Sequence, residues 1–173
     1  KAPFIWIDRQ VDKDTVAAIK AKDLAGIGFI KTQKRVYPHH ELAAPILGFV
    51  GIDNQGLGGL EYGYDTELKG SPGKIILEGD PRGRQLITGS RTAIQPDDGT
   101  HIITTLDHTI QYFAQAHLER GVSINRAQKG QVVVMDPQNG DILAMATTPH
   151  FNPNTRREAT SSSRKNGAIT DVF

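Results

Sequence analysis

Val132-Val133-Val134-Met135-Asp136-Pro137-Gln138-Asn139-Gly140-Asp141-Ile142-Leu143-Ala144-Met145-Ala146 is the stretch that sets the fold class. Two apolar, strand-favouring runs, 132–135 and 142–146, flank a proline and an Asn-Gly pair, which predicts a β-hairpin. Both runs are continuously apolar rather than alternating, so both faces of the hairpin are expected to be covered. Upstream, Asp107 is a credible N-cap for a helix with an apolar face of Ile110, Phe113, Ala114, His117 and Leu118. Gly121 is the expected stop. His101 to Leu106 reads as a strand leading into that helix, and from Thr148 to Asn166 the chain turns polar and loop-like.

Further upstream, Gln95-Pro96-Asp97-Asp98-Gly99 is polar and reads as a domain boundary, giving parts 1–97 and 98–173. In the first part, Phe4 to Ile7 favours a strand. Asp12 or Asp14 could cap a helix that turns Val16 and Ile19 inward, Gly26 ends it, and Ile27 to Val36 reads as a strand, a small β-α-β unit. A helix from His40 to about Phe49 is expected, with Pro45 tolerated in its first turn or at a kink. Glycines crowd 48–63, a helical segment runs from Leu60 to Leu68, and a strand from Lys74 to Glu78. Asp80-Pro81-Arg82-Gly83 has good turn chemistry, and a second strand lies near Gln85 to Thr88. The whole reads as an α+β protein.

Composition narrows the function classes. Of the 173 residues, 38% are apolar and 23% charged, as in a globular protein. Twenty basic residues against 19 acidic ones leave a formal charge of +1, and the basic residues form no stripe, so no nucleic-acid partner is implied. There is no cysteine, which excludes disulfides, thiolate metal sites and cysteine nucleophiles. No apolar run reaches the roughly 20 residues a bilayer span needs.

Several motifs suggest chemistry. Ser162-Ser163-Arg164-Lys165 fits Ser-x-x-Lys, a serine nucleophile one helical turn before a proton-accepting lysine. Its polar, loop-like surroundings lack the helix N-terminus such a site needs, so Ser162 and Lys165 read as a decoy. His39-His40-Glu41 lacks a third metal ligand at a supporting distance, and no metal site is expected. His117 reads as a hydrogen-bonded histidine at the core edge. Gly56-Leu57-Gly58-Gly59 lacks the lysine and hydroxyl residue of a phosphate loop, so its glycines are expected to serve tight turns. Arg35 and Glu61 are single charges beside apolar or glycine-rich segments that could pair across elements.

In combination these segments are more specific. Lys34-Arg35-Val36-Tyr37-Pro38, Leu47-Gly48-Phe49-Val50, Gly56-Leu57-Gly58-Gly59-Leu60-Glu61, Leu68-Lys69-Gly70 and Asp80-Pro81-Arg82-Gly83 follow one another in order. That series resembles the pedestal (dimerisation-like) domain of class B penicillin-binding proteins. Leu106-Asp107 with Ile110-Gln111 is similar to the first helix of their transpeptidase domain, and 134–146 to its first hairpin. Pro149, Phe151-Asn152-Pro153-Asn154, Asn166 and Ala168-Ile169-Thr170-Asp171-Val172-Phe173 resemble the run leading to the nucleophile. The likeness covers nearly the whole chain and is greatest to the cell-division members.

The resemblance implies a peptidoglycan D,D-transpeptidase whose Ser-x-x-Lys lies beyond Phe173, so that these residues alone are inactive and hold no catalytic residue. It also implies an N-terminal membrane anchor outside these residues, an extracytoplasmic location and no cofactor. The implied partners are the peptidoglycan stem peptide, β-lactams, a membrane-embedded glycosyltransferase and other wall-synthesis proteins. Structural or partner-supporting roles are implied for Arg35, Tyr37, Glu61, Asp80, Gly83, Asp136, Gly140 and Asn154. Two other readings are a non-catalytic interaction module and a serine hydrolase using Ser162 and Lys165. The orphaned hairpin is expected to expose apolar surface.

Overall fold

A computed structural model describes residues 4–77 and 91–172. The turn at Asp80 to Gly83 and the run Gln85 to Thr88 lie outside the described residues. The elements in chain order are α1 (Lys13–Lys20), α2 (Ala44–Leu47), β1 (Phe49–Val50), β2 (Gly56–Gly58), α3 (Gly59–Gly63), α4 (Asp65–Lys69), β3 (Lys74–Leu77) and β4 (Arg91–Ile94). There follow α5 (His108–Ile124), β5 (Gly130–Met135), β6 (Ile142–Thr148), a 3-10 segment (Pro153–Glu158), α6 (Ser161–Arg164) and α7 (Gly167–Thr170). Among the described residues the strands form three antiparallel pairs, β1–β2, β3–β4 and β5–β6.

The hairpin forms as its turn chemistry dictates. Val132 pairs with Ala146, Val133 with Met145 and Val134 with Ala144, and the register slips before Met135 meets Ile142. At the turn, the Gly140 N–H donates to the Asp136 carbonyl at 2.9 Å and the Gln138 N–H to Asp136 Oδ1 at 2.9 Å. Gly140 takes a φ of 81°, which glycine adopts without a Cβ clash. The expectation that both faces are covered is corrected: Val133 and Met135 are exposed on the face away from α5.

Asp107 caps α5, accepting from the Ile110 N–H at 2.8 Å. The buried line of α5 is Gln111, Gln115 and Leu118: of the expected apolar stripe Leu118 is buried and Ile110 and Ala114 are half-buried, but Phe113 and His117 are not. Phe113 is 54% exposed, and His117 is exposed and stacked on it at 6.3 Å, so His117 is not a core-edge residue. The reason is the free edge of β6. Gln111 serves it at Met145 with both a donor and an acceptor, and the small Ala144 and Ala146, both buried, let the helix approach there. The stripe from Ile110 to Gly121 is left lining an open apolar groove of about 630 Å³ against β5. This groove is the exposed apolar surface expected of the hairpin. Gly121 does not stop α5, which runs to Ile124; the positive φ that turns the chain falls on Arg126.

Three expected strands are absent. Phe4 to Ile7, Ile27 to Val36 and His101 to Leu106 carry strand propensity but pair with no ladder among the described residues. A strand is stable only when a neighbour satisfies its backbone groups. The 101–106 segment meets β6 through the Thr105 hydroxyl, donating to the Ile142 carbonyl at 2.7 Å, and the Asp107 N–H, donating to Leu143 at 2.9 Å. The β-α-β unit therefore reduces to α1, capped by Asp12, which accepts from the Thr15 N–H at 2.8 Å.

The helix expected over 40–49 shrinks to α2. Ala43 enters it with a φ of 56°, and Pro45 sits in its first turn as expected. Gly48 ends it with a φ of 82°, and a Cβ there would lie 1.7 Å from the Gly58 carbonyl oxygen. The helix expected over 60–68 breaks at Tyr64 into α3 and α4. From Thr148 to Asn166 the chain is not loop throughout but holds the 3-10 segment and α6. Among the described residues the buried apolar side chains include Tyr37, Ala43, Ala44, Leu118, Ala144, Ala146 and Phe151. The core thus lies where 37–44 meets α5, β6 and Phe151.

Candidate functional site

The most developed polar cluster sits beside that core. Arg35 Nε donates to Glu61 Oε1 at 2.6 Å, and the Tyr37 hydroxyl donates to the same oxygen at 3.1 Å. Glu61 is 7% exposed, so its carboxylate is held inside the fold by these two donors. Short α3 carries it there, and the approach depends on Gly56: a Cβ at Gly56 would stand 1.8 Å from the Glu61 carbonyl oxygen. The hydrogen bond to Glu61 raises the Arg35 pKa, so the guanidinium stays charged. Burial pushes the Tyr37 phenol up, and the Glu61 charge pushes it further, so Tyr37 remains a neutral donor.

The main chain of Tyr37 is clamped as well. Its N–H donates to Asn154 Oδ1 at 3.0 Å, and Asn154 Nδ2 donates back to its carbonyl at 2.8 Å. Arg35, Tyr37, Glu61 and Asn154 are therefore brought together from three places in the sequence. Arg9, Lys34, Arg35 and Asn154 line a cleft of about 540 Å³ on the open side of the cluster. Arg9 is itself paired with Asp53.

Asp136 and Gly140 lie together in the β5–β6 turn, apart from this cluster. Asp80 and Gly83 lie outside the described residues. The Ser-x-x-Lys pattern does not assemble. Ser162 lies on the four-residue α6, a correction to its expected loop, and its hydroxyl shares a hydrogen bond with Thr160 Oγ1 at 3.0 Å. Lys165 follows the helix in extended backbone, and its ammonium faces Asp171 Oδ1 at 3.6 Å. The base required by the pattern is thus engaged elsewhere.

Three further features were not legible in the sequence. Gln111, 1% exposed, accepts from the Met145 N–H at 2.8 Å and donates to the Met145 carbonyl at 3.0 Å, completing the free edge of β6. Asp171 Oδ2 accepts from Lys129 Nζ at 2.6 Å, and this bond holds its pKa below the usual carboxylate range. The ring of His39 meets His108, at the start of α5, at 4.6 Å. Among the described residues no group of three or more histidine or acidic residues converges to hold a metal. Asn152 and Asn154, in the stretch that reads as polar and loop-like, reach Glu41 and the main chain of Tyr37.

Residues 1–104 match the penicillin-binding protein dimerisation domain, and residues 130–173 match the penicillin binding protein transpeptidase domain. The chain belongs to the penicillin-binding protein family. Its α+β architecture is that of a penicillin-binding protein's dimerisation domain followed by the start of the transpeptidase domain. It is 38% identical over 171 residues to the probable peptidoglycan D,D-transpeptidase PenA of Neisseria gonorrhoeae, covering 98% of this chain and 29% of that protein. To the peptidoglycan D,D-transpeptidase FtsI of Escherichia coli (strain K12) it is 35% identical over 173 residues, covering 100% of this chain and 29% of that one. The solved complex between the penicillin-binding protein PBP2 and MreC from Helicobacter pylori shares the fold, with a TM-score of 0.62 and 24% identity over 84% of this chain and 29% of that one. The chain thus spans about 29% of the length of the curated penicillin-binding proteins it matches. The Arg35–Tyr37–Glu61 cluster lies in its dimerisation-domain part, and Asn154 lies in its transpeptidase part.

Proposed function

We propose that these residues form the scaffold of a cell-division peptidoglycan D,D-transpeptidase, with the catalytic Ser-x-x-Lys carried beyond Phe173. The observation that carries this reading is the alignment of 98% of the chain, at 38% identity, with a probable D,D-transpeptidase. The engagement of Lys165 by Asp171 supports it by leaving Ser162 without a base. In the whole protein, a serine Oγ attacks the carbonyl of the penultimate D-alanine of a stem peptide. The terminal D-alanine departs with a proton on its amine. An amino group of a neighbouring stem peptide then displaces the serine from the ester, closing the cross-link and regenerating the hydroxyl. A penicillin acylates the same serine through its β-lactam carbonyl.

The parts described here bind and orient rather than react. A pedestal spans residues 1–97 and the first layer of the transpeptidase domain spans 98–173, and the Arg35–Tyr37–Glu61–Asn154 cluster ties one to the other. Asp136 and Gly140 shape the first hairpin, and Asp80 and Gly83 serve structural or partner-supporting roles in the pedestal. The protein acts on the extracytoplasmic side of the membrane, anchored by an N-terminal helix outside these residues. Its pedestal docks a membrane-embedded glycosyltransferase and other wall-synthesis proteins. The exposed Leu57, Tyr62 and Tyr64 around α3 support such a docking role.

The test is the intact mass of the full-length protein, and of residues 1–173 alone, before and after incubation with a penicillin. One adduct on the full-length protein, mapped to a peptide beyond residue 173, with none on the shorter chain, is the expected result. An adduct on Ser162, or none on the full-length protein, refutes the reading.

A further inference from the structure

Asn154 holds together two stretches of chain that are 117 residues apart. Its carboxamide makes both hydrogen bonds of a strand pair with the main chain of Tyr37, at 3.0 and 2.8 Å. A carboxamide sets an acceptor and a donor side by side on one carbon in a rigid plane, matching the N–H and C=O of one residue, which a carboxylate, a hydroxyl or an ammonium cannot do. The Asn154 N–H donates to Asn152 Oδ1 at 2.9 Å, leaving Asn152 Nδ2 to donate to Glu41 Oε1 at 3.1 Å. Phe151, buried, meets Phe49 edge-on at 5.6 Å. Residues 151, 152 and 154 thus each grip the 37–49 stretch. From there the chain passes through α6, where Ser163 is buried, to Asp171, tied by Lys129. The run 153–172 is therefore fastened to Tyr37 at its start and to Lys129 near its finish, with Arg164 over the Phe49 ring at 5.4 Å and Asn166 Nδ2 donating to Met145 Sδ at 3.3 Å between them.

We infer that Asn154 is a positioning residue for the acyl transfer. Its clamp on Tyr37 fixes the start of the run 153–172, and through it contributes to where the serine that follows lies. The inference rests on the reading given under Proposed function. Asn154 touches no reacting atom; it acts through the backbone it holds. A displacement of about 1 Å at a reacting group can cost up to about 100-fold in rate, so loss of one end of the fastening is expected to be felt in the chemical step.

The experiment follows acylation of the full-length protein by a fluorescent penicillin over a range of concentrations. It separates the dissociation constant of the initial complex, the first-order acylation rate and the fraction of protein acylated. Asn154→Ala removes both hydrogen bonds, whereas Asn154→Asp keeps the shape and the acceptor but loses the donor to Tyr37. The acylation rate is expected to fall about tenfold or more in Asn154→Ala and by less in Asn154→Asp, with the initial dissociation constant unchanged. A purely structural residue would lower the fraction acylated and leave the rate of the folded fraction alone. A wild-type rate in both folded variants overturns the inference and leaves the transpeptidase reading standing. If Asn154→Ala fails to fold, Asn154→Asp decides on the same criterion. A wild-type protein that no penicillin acylates refutes the transpeptidase reading itself and removes this inference with it.

Discussion

Replacing Gln111 with leucine tests whether a buried carboxamide, rather than apolar packing, seats α5 on β6. The side chain is 1% exposed and bonds both the N–H and the carbonyl of Met145, at 2.8 and 3.0 Å. Gln111→Leu nearly conserves volume but deletes both bonds, about 1 kcal/mol each, and strands the Met145 N–H and carbonyl at a further cost of about 1–3 kcal/mol. The leucine recovers about 1–2 kcal/mol of apolar burial. The net expectation is a loss of about 2 kcal/mol. For a chain of this size that corresponds to about 4–8 °C in Tm. Urea unfolding of the chain followed by circular dichroism, with the slope on denaturant unchanged, measures the loss directly. A variant within about 0.5 kcal/mol of wild type, or more stable, would refute the idea that the β6 edge depends on Gln111.

Arg35→Ala should lower stability by about 1–2 kcal/mol: the Arg35 side chain is 45% exposed, so the pair itself contributes little, but its loss leaves the buried Glu61 carboxylate with one donor fewer. Unchanged thermal unfolding and protease resistance would remove Arg35 as a structural tie. Asp171→Asn bears on acid stability. The Asp171 pKa is depressed below its ordinary 3.8, so its contribution is present above that pH and is lost as pH falls through the lower folded value. The variant should therefore unfold at lower urea than wild type at about pH 7 and converge with it at about pH 2; an equal gap at both would refute the assignment. Gly56→Ala drives a Cβ to 1.8 Å from the Glu61 carbonyl oxygen, a backbone atom that cannot swing aside. A loss of about 3 kcal/mol is expected, and wild-type unfolding would show that the β2–α3 approach is looser than its geometry implies.

What was legible in the sequence is what local chemistry controls. The hairpin over 132–146, the cap at Asp107, a cap at Asp12 or Asp14 that the structure resolves to Asp12, the place of Pro45 and the α+β class all follow from turn residues, capping side chains and apolar runs. These signals act over a few residues and need no partner from afar. The strand propensity of 27–36 and 101–106 was equally visible, yet no strand forms there, because a ladder needs two strands and the sequence of one does not say whether the other arrives. The buried side of α5 was misjudged for a related reason. Apolar periodicity predicts which face could be buried, but the free edge of β6 demanded a donor and an acceptor and drew Gln111 inward instead of Phe113. The candidate cluster divides in the same way. Arg35 and Glu61 were noticed as charges beside apolar segments, and family likeness added Tyr37 and Asn154. That one Glu61 oxygen takes both Arg35 and the Tyr37 hydroxyl, while Asn154 holds Tyr37 from 117 residues away, was decided by the tertiary structure alone, since hydrogen bonds across such separations leave no periodic or local trace in the chain.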